Sequence, residues 1–204
     1  MHQRKSKKIF IYFFFLIIIS STNNLSFNNL KFDNINDIEI SGLSKKENNI
    51  LFQEIKKINL ENIFFIKSKE IVSLIDSNPL IEKYEVKKKY PSAIYVKIQK
   101  TNFYAKININ DETFLIGSNG KLSPNDLQNK DLPFIFGKPD IKEFLNFKNI
   151  IDQSKFSYDQ IENLYFYPSK RWDLKLKNNI LLKLSKNLNI EYLNNLYKFL
   201  EQDD

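Results

Sequence analysis

Tyr84-Glu85-Val86-Lys87-Lys88-Lys89-Tyr90-Pro91-Ser92-Ala93-Ile94-Tyr95-Val96-Lys97-Ile98 is the stretch on which the reading of the chain turns. Tyr84, Val86, Lys88 and Tyr90 alternate with Glu85, Lys87 and Lys89. After Pro91-Ser92 the alternation resumes as Ile94, Val96 and Ile98 against Tyr95, Lys97 and Gln99. A period of two on both sides of a Pro-Ser break describes a hairpin whose strands each bury one face. Tyr90 and Pro91 are expected to shape its turn.

Upstream of this hairpin the period is helical. Ser68 can cap a short helix carrying Ile71, Leu74 and Ile75, which Pro79 prevents from continuing. Earlier still, Ser44-Lys45-Lys46-Glu47 has the form of a capping box. Leu51, Ile55 and Ile58 then fall on one side of a helix, with Lys56 and Lys57 outside. Ile35, Ile38 and Ile40, with Asp37, Glu39 and Ser41 between the later ones, read as a strand with one buried face, closed by Gly42. The order strand, helix, helix, strand, strand predicts a three-stranded sheet with two helices on one face over residues 35–101. Each helix has one apolar stripe and each strand one apolar face, which is the two-layer solution.

Residues 102–204 read as a second unit. Residues 103–109 and 113–116 form a hairpin around Asn110-Asp111-Glu112, and Ser118-Asn119-Gly120 gives a turn before Lys121. Leu132-Pro133-Phe134-Ile135-Phe136-Gly137 reads as a short buried strand. Ile141, Phe144, Leu145 and Ile151 then stand at mostly helical spacing. Residues 161–167, 172–176 and 180–184 give three further strands, the last two joined by Lys177-Asn178-Asn179. Leu193, Leu196, Tyr197 and Leu200 form the stripe of a final amphipathic helix. The expected fold class is α+β: a single N-terminal transmembrane helix, a β-α-α-β-β unit, then a mostly antiparallel β domain with flanking helices.

The membrane segment is read from residues 9–19, IFIYFFFLIII, an apolar run preceded by Arg4, Lys5, Lys7 and Lys8 with no acidic residue among them. A cationic flank ahead of such a run stays in the cytoplasm. Residues 1–8 are therefore expected to be a cytoplasmic tail, with the folded units across the membrane. A helix needs about 20 residues to cross a hydrocarbon core of about 30 Å. The anchor is accordingly drawn over residues 9–27, with Ile9, Phe10, Phe13, Phe14, Leu16 and Ile19 as its anchoring side chains and residues 28–34 as a linker. Ser20, Ser21 and Thr22 can turn their hydroxyls onto helix carbonyls. A retained anchor and a cleaved signal peptide, whose apolar region has this length and ends in small residues, both fit.

Composition narrows the function classes. Basic residues outnumber acidic ones 31 to 24, but setting aside the four cations ahead of Ile9 leaves 27 against 24. That is a solvated surface of mixed sign, so nucleic acid is not an expected partner. Cysteine is absent, so no disulfide can hold the fold in an oxidising compartment. The single histidine, His2, lies in the tail. Gly42, Gly117, Gly120 and Gly137 form neither a phosphate-cradling loop nor a dinucleotide fingerprint. No catalytic, cofactor-binding or metal-ligating residue is expected, and no small-molecule substrate.

Ile38-Glu39-Ile40-Ser41-Gly42, Asn62-Ile63-Phe64-Phe65-Ile66, Asn78-Pro79-Leu80-Ile81, and Val86 through Tyr90-Pro91 to Val96-Lys97-Ile98 resemble the signature of a POTRA domain. Their order behind a basic tail and an apolar segment is similar to the FtsQ/DivIB family of bacterial cell-division proteins. Lys100 and Asn102 depart from the Glu and Pro common in that family, while Ala105 agrees. Leu132-Pro133 with Gly137, then Arg171-Trp172-Asp173-Leu174 and the hairpin after them, resemble the family's extracytoplasmic β domain.

The resemblance implies a bitopic divisome scaffold of the cell inner membrane, single-pass type II, with both folded domains periplasmic. It would link early and late division proteins and help control septal peptidoglycan synthesis through partners of the FtsB/FtsL (DivIC/FtsL) type. It also implies partner contact at Lys170, Arg171 and Trp172. Read on their own, the two cations are equally an ordinary solvated pair, and a tryptophan opening a strand more often anchors packing. In the family the partner pairs with a further strand after the last helix; this sequence stops at Asp204, directly after that helix, so either its natural end is missing or the partner pairs with the strands of residues 161–184. An alternative is a POTRA-containing component of outer-membrane protein assembly or secretion, although a barrel would need many more alternating strands.

Overall fold

The computed structural model of the chain describes residues 5–21, 35–58, 68–124 and 131–202. Helix α1 (Lys5–Ser21) is 17 residues long. Ser20 donates its hydroxyl to the Ile17 carbonyl at 3.1 Å, as expected of a small polar residue closing an apolar helix. Ile9, Phe10, Phe13, Phe14, Leu16 and Ile19 all stand exposed. No helix among the described residues is long and apolar enough to cross a membrane. Residues 22–27 of the expected anchor, the linker at 28–34 and the Asn62-to-Ile66 motif lie outside the described residues.

The first unit is built from β1 (Asp37–Ser41), α2 (Lys45–Lys57), α3 (Ser68–Ser77), β2 (Ile81–Lys89) and β3 (Ala93–Lys100). Its three-stranded sheet has the order β1-β3-β2, with β1 parallel and β2 antiparallel to β3. The hairpin pairs Val86 with Val96 and Lys89 with Ala93, and the Tyr90–Pro91 bond is cis. Strand β2 begins at Ile81, earlier than the strict alternation, with a register shift between Ile81 and Lys83. The capping box forms: Ser44 Oγ accepts the Glu47 N–H at 3.3 Å, and the Glu47 carboxylate accepts the Ser44 N–H at 2.8 Å. Ser68, expected as a cap, is the first described residue of α3, and the segment before it lies outside the described residues. Leu51 and Ile55 of α2 with Ile71 and Ile75 of α3 pack onto Ile81, Ile94, Val96 and Ile98 of the sheet. Full burial of each such side chain contributes about 1.5–3 kcal/mol before chain entropy is counted.

The second unit contains β4 (Phe103–Ile109), β5 (Glu112–Gly117), β6 (Leu122–Pro124), β7 (Phe134–Phe136), α4 (Ile141–Gln153), β8 (Ile161–Phe166), β9 (Trp172–Leu176), β10 (Leu181–Lys183) and α5 (Ile190–Gln202). Its seven strands run β10-β9-β8-β7-β4-β5-β6. The ladders are antiparallel except β4–β7 and β7–β8, which are parallel. The mostly antiparallel expectation therefore holds, while β6 was not anticipated. Asn110 and Asp111 take φ of 51° and 64° between the paired Ile109 and Glu112, the left-handed conformations a two-residue hairpin loop requires. Phe144, Phe147 and Ile151 of α4 and Leu193 of α5 cover the sheet face that carries Ile107, Ile135, Leu164, Trp172 and Leu174.

Two glycines that carry the family resemblance have a steric reason. Gly42 (φ 110°) follows β1, and a Cβ there would lie 1.8 Å from the Ile98 carbonyl oxygen. Gly137 (φ 103°) follows β7, and its Cβ would lie 2.3 Å from that of Phe166. Each strand runs parallel to the neighbour its glycine would strike. Both positions combine a left-handed φ with a close backbone approach, which excludes a side chain.

The turn after β5 fastens the units together. Asn119 Nδ2 donates to the carbonyls of Pro79 (3.0 Å) and Ile81 (2.8 Å) and to Thr101 Oγ1 (2.8 Å), while its Oδ1 accepts the Lys121 N–H at 3.0 Å. Ser118 Oγ donates to Glu82 at 2.6 Å, and Lys121 Nζ donates to the Asp76 carbonyl.

Candidate functional site

Residues 170–172 lie where β8 turns into β9. The loop closes through Lys170 N–H to the Tyr167 carbonyl (2.8 Å) and Tyr167 N–H to the Arg171 carbonyl (3.0 Å), with Lys170 at φ 65°. The Lys170 side chain is 68% exposed and reaches Glu143 at 3.6 Å. Arg171 makes a two-pronged contact with Asp173, Nε to Oδ1 at 3.0 Å and Nη2 to Oδ2 at 3.1 Å, and its guanidinium lies over the Tyr167 ring at 4.6 Å. Hydrogen bonding to Asp173 raises the Arg171 pKa above its already high value, so it is cationic throughout. Asp173 is buried at 1% exposure, and Arg171 is its ion-pair partner.

Trp172 points the other way, as alternate strand residues must. It is 6% exposed, stacked on Phe147 at 4.5 Å between ring centres and tilted against Phe166 at 4.8 Å and Phe144 at 6.3 Å. Of the three residues expected at a partner contact, the structure presents Lys170 and the outer side of Arg171 to solvent and draws Trp172 into the core. Any influence of the indole on a partner acts through the position of β9.

Next to this corner is the sheet's open edge. Leu176 N–H donates to the Ile180 carbonyl and Leu184 N–H to the Trp172 carbonyl, so residues 180, 182 and 184 turn their backbone groups toward β9. Leu181 and Lys183 therefore direct theirs to the open side. Leu181 is 53% exposed. Below the edge, between β10 and α5, runs a groove of about 860 Å³ lined by Phe156, Leu176, Ile180, Leu182, Leu196 and Phe199. Reading the sequence did not single out Leu181, Lys183 or this groove. Phe199, 60% exposed and off the Leu193–Leu196–Leu200 stripe, was the one available signal.

Buried polar chemistry elsewhere is structural. Lys148, 8% exposed, pairs with Asp152 at 2.5 Å and sits over the rings of Tyr104 (4.5 Å) and Tyr158 (4.2 Å). Burial, then the Asp152 charge, pushes the Tyr158 phenol far above its ordinary pKa; it stays protonated and donates to the Tyr104 carbonyl at 2.9 Å. Among the described residues no group of three or more His, Cys, Asp or Glu could hold a metal ion.

A three-stranded sheet backed by two helices, with the order β-α-α-β-β, is the arrangement expected of a POTRA domain, and a seven-stranded sheet domain follows it. Residues 34–100 match the family model described as POTRA domain, FtsQ-type. Two curated relatives are cell division protein DivIB of Clostridium botulinum. That of strain Loch Maree / Type A3 is 32% identical over 104 residues, 50% of this chain and 40% of that protein. That of strain Hall is 33% identical over 89 residues, 43% of this chain and 34% of that protein. The chain thus spans 40% or less of the length of these relatives. A solved structure, the major extracytoplasmic domain of the trans isomer of DivIB from Geobacillus stearothermophilus, aligns with a TM-score of 0.37 at 11% identity. It covers 51% of this chain and 97% of that one, a likeness too low to carry an argument. Residues 34–100 are thus similar to FtsQ-type POTRA domains, and about half of the chain is similar to DivIB cell-division proteins.

Proposed function

We propose that this chain is a membrane-anchored cell-division scaffold that captures an extended segment of a DivIC/FtsL-type (FtsB/FtsL-type) partner on the β10 edge. The observation that carries the reading is the open edge itself, with two outward backbone positions at Leu181 and Lys183 above an apolar groove. A partner strand adding there gains main-chain hydrogen bonds, while alternate side chains entering the groove supply choice. Lys170 and Arg171, one turn away, meet acidic residues flanking that segment. The apolar run of α1 holds the scaffold to the cell inner membrane as a single-pass type II protein, its two domains in the periplasm, where it links early and late division proteins and helps regulate septal peptidoglycan synthesis. The scaffold acts by docking, without catalysis.

The test is depletion in the source cell with complementation by a fluorescent fusion, wild-type or Leu181→Pro. Proline at 181 removes an outward donor while leaving the ladder to β9 intact. The expected result is filaments without septa on depletion, midcell rescue by wild-type, and loss of partner co-purification with the proline variant. Normal division after depletion, or undiminished co-purification with Leu181→Pro, overturns it.

A further inference from the structure

The end of the first unit at which the chain arrives from α1 is also where lysines gather. Strand β1 joins the sheet beside the β2–β3 turn: Asp37 stands opposite Ala93, and Asn36 and Asp37 donate their N–H groups to the Ser92 carbonyl at 3.1 and 3.4 Å. The turn carries Lys87, Lys88, Lys89 and Tyr90, all exposed, Tyr90 by 59%. The helices add to the same end. α2 starts at the far end, where Glu47 pairs with Lys100 at 2.8 Å, so its last turn brings Lys56 and Lys57 back toward the hairpin turn. α3 finishes at the far end, its Asp76 bonded to Tyr84 and to Lys121, so Lys69 in its first turn lies at the near one.

Carboxylates stand among these lysines: Asp37, Glu39, Glu54, Glu70, and Glu85 in a 3.0 Å pair with Lys87. Position decides the outcome. Lys88, Lys89 and Tyr90 project at the turn itself, ahead of the start of β1, with Lys89 over the Tyr95 ring at 5.3 Å. Ammonium groups beside an exposed phenol are the chemistry that suits an anionic headgroup layer, where lysines meet phosphates and aromatic rings sit at the headgroup level.

We propose that the β2–β3 turn rests on the anionic phospholipid surface of the membrane that holds α1, fixing the first unit upright. This rests on the anchoring reading of α1. Thirteen residues separate Ser21 from Ile35, a reach of at most about 45 Å fully extended, so the turn is confined near that surface and a weak contact suffices.

The chain contains no cysteine, so Ser92→Cys gives a single labelling site in the full-length protein. The protein is reconstituted into phosphatidylcholine vesicles with or without one-third phosphatidylglycerol, and energy transfer from residue 92 to headgroup acceptors is measured. Transfer rises with the anionic lipid and falls at high salt. Lys88→Gln with Lys89→Gln lowers the ratio of surface-bound to free turn about thirtyfold, from two cations lost near a charged surface. Lys45→Gln with Lys46→Gln, at the opposite end of α2, leaves it unchanged. Equal transfer in both lipids, or an unaffected Lys88/Lys89 variant, overturns the proposal while the anchor stands. A turn that responds to a soluble anionic polymer but not to lipid charge overturns it too. Failure of the chain to float with either vesicle removes the anchor and this contact together.

Discussion

Replacing Asn119 by alanine should loosen the two units from each other. The carboxamide offers two protons to three acceptors of the preceding segment, the Pro79 and Ile81 carbonyls and Thr101 Oγ1, all within 3.0 Å, and its own oxygen holds the Lys121 N–H. A net hydrogen bond contributes about 1 kcal/mol, and a carbonyl left without its donor in a dry site loses about 1–3 kcal/mol more. The turn is half-buried, so water takes over part of that role and the loss settles near 2 kcal/mol. For a chain of this size about 2–4 °C accompanies each kcal/mol, so Tm falls by about 4–8 °C. Urea unfolding reads the effect separately in each unit. Trp172, the single tryptophan, reports on the second, and amide exchange in β2 and β3 reports on the first. Wild-type should unfold with coincident transitions, and Asn119→Ala should separate them. Asn119→Asp, which keeps the shape but aims an oxygen at the two carbonyls, should be at least as disruptive. Coincident transitions with a loss below about 0.5 kcal/mol, the range of an unremarkable surface change, would refute the reasoning.

Charge reversal separates the two cations of the β8–β9 corner. Lys170→Glu should weaken partner capture while stability stays within about 0.5 kcal/mol, because the side chain is solvated and its contact with Glu143 is long. Arg171→Glu should lower the urea midpoint, since Asp173 would face a second carboxylate in place of its guanidinium; equal midpoints for both variants would show that the Arg171–Asp173 pair is not structural. Acid acts through Glu47. Burial works against its charge, but hydrogen bonds from Lys100 and Ser44 outweigh it and hold its pKa below the ordinary value. A depressed folded pKa means the contribution is whole above the unfolded pKa of about 4.3 and is lost as pH falls through the folded value. Glu47→Gln should accordingly flatten the acid limb of the stability curve of the first unit, and an unaltered limb would assign that loss to other groups.

The parts of the fold legible in the sequence were those set by local period. Alternation on both sides of Tyr90-Pro91 gave the hairpin, and Ser44 with Glu47 gave the start of α2, because each signal is complete within a few residues. Strand order was not legible. Nothing near Phe134 states that it lies parallel to β4 and β8, since that pairing is a property of the assembled sheet. Strand β6 escaped for a related reason: Leu122-Ser123-Pro124 is too short to show a period and exists because β5 offers an edge. The joint at Asn119 was read as a plain turn, as its acceptors at Pro79 and Ile81 lie far away in sequence. The Arg171–Asp173 contact was within reach, because two residues apart on a strand is the same face.

That same alternation ties the corner to the edge. Outward, Arg171 and Asp173 neutralise each other on β9; inward, Trp172 is clasped by Phe144, Phe147 and Phe166. Between them the Trp172 carbonyl accepts the Leu184 N–H, the last bond holding β10 to the sheet. Side-chain packing of one residue thus sets the height and angle at which β10 presents Leu181 and Lys183. A strand of three residues has little rigidity of its own, so the β10 edge inherits its geometry from the aromatic cluster beneath β9.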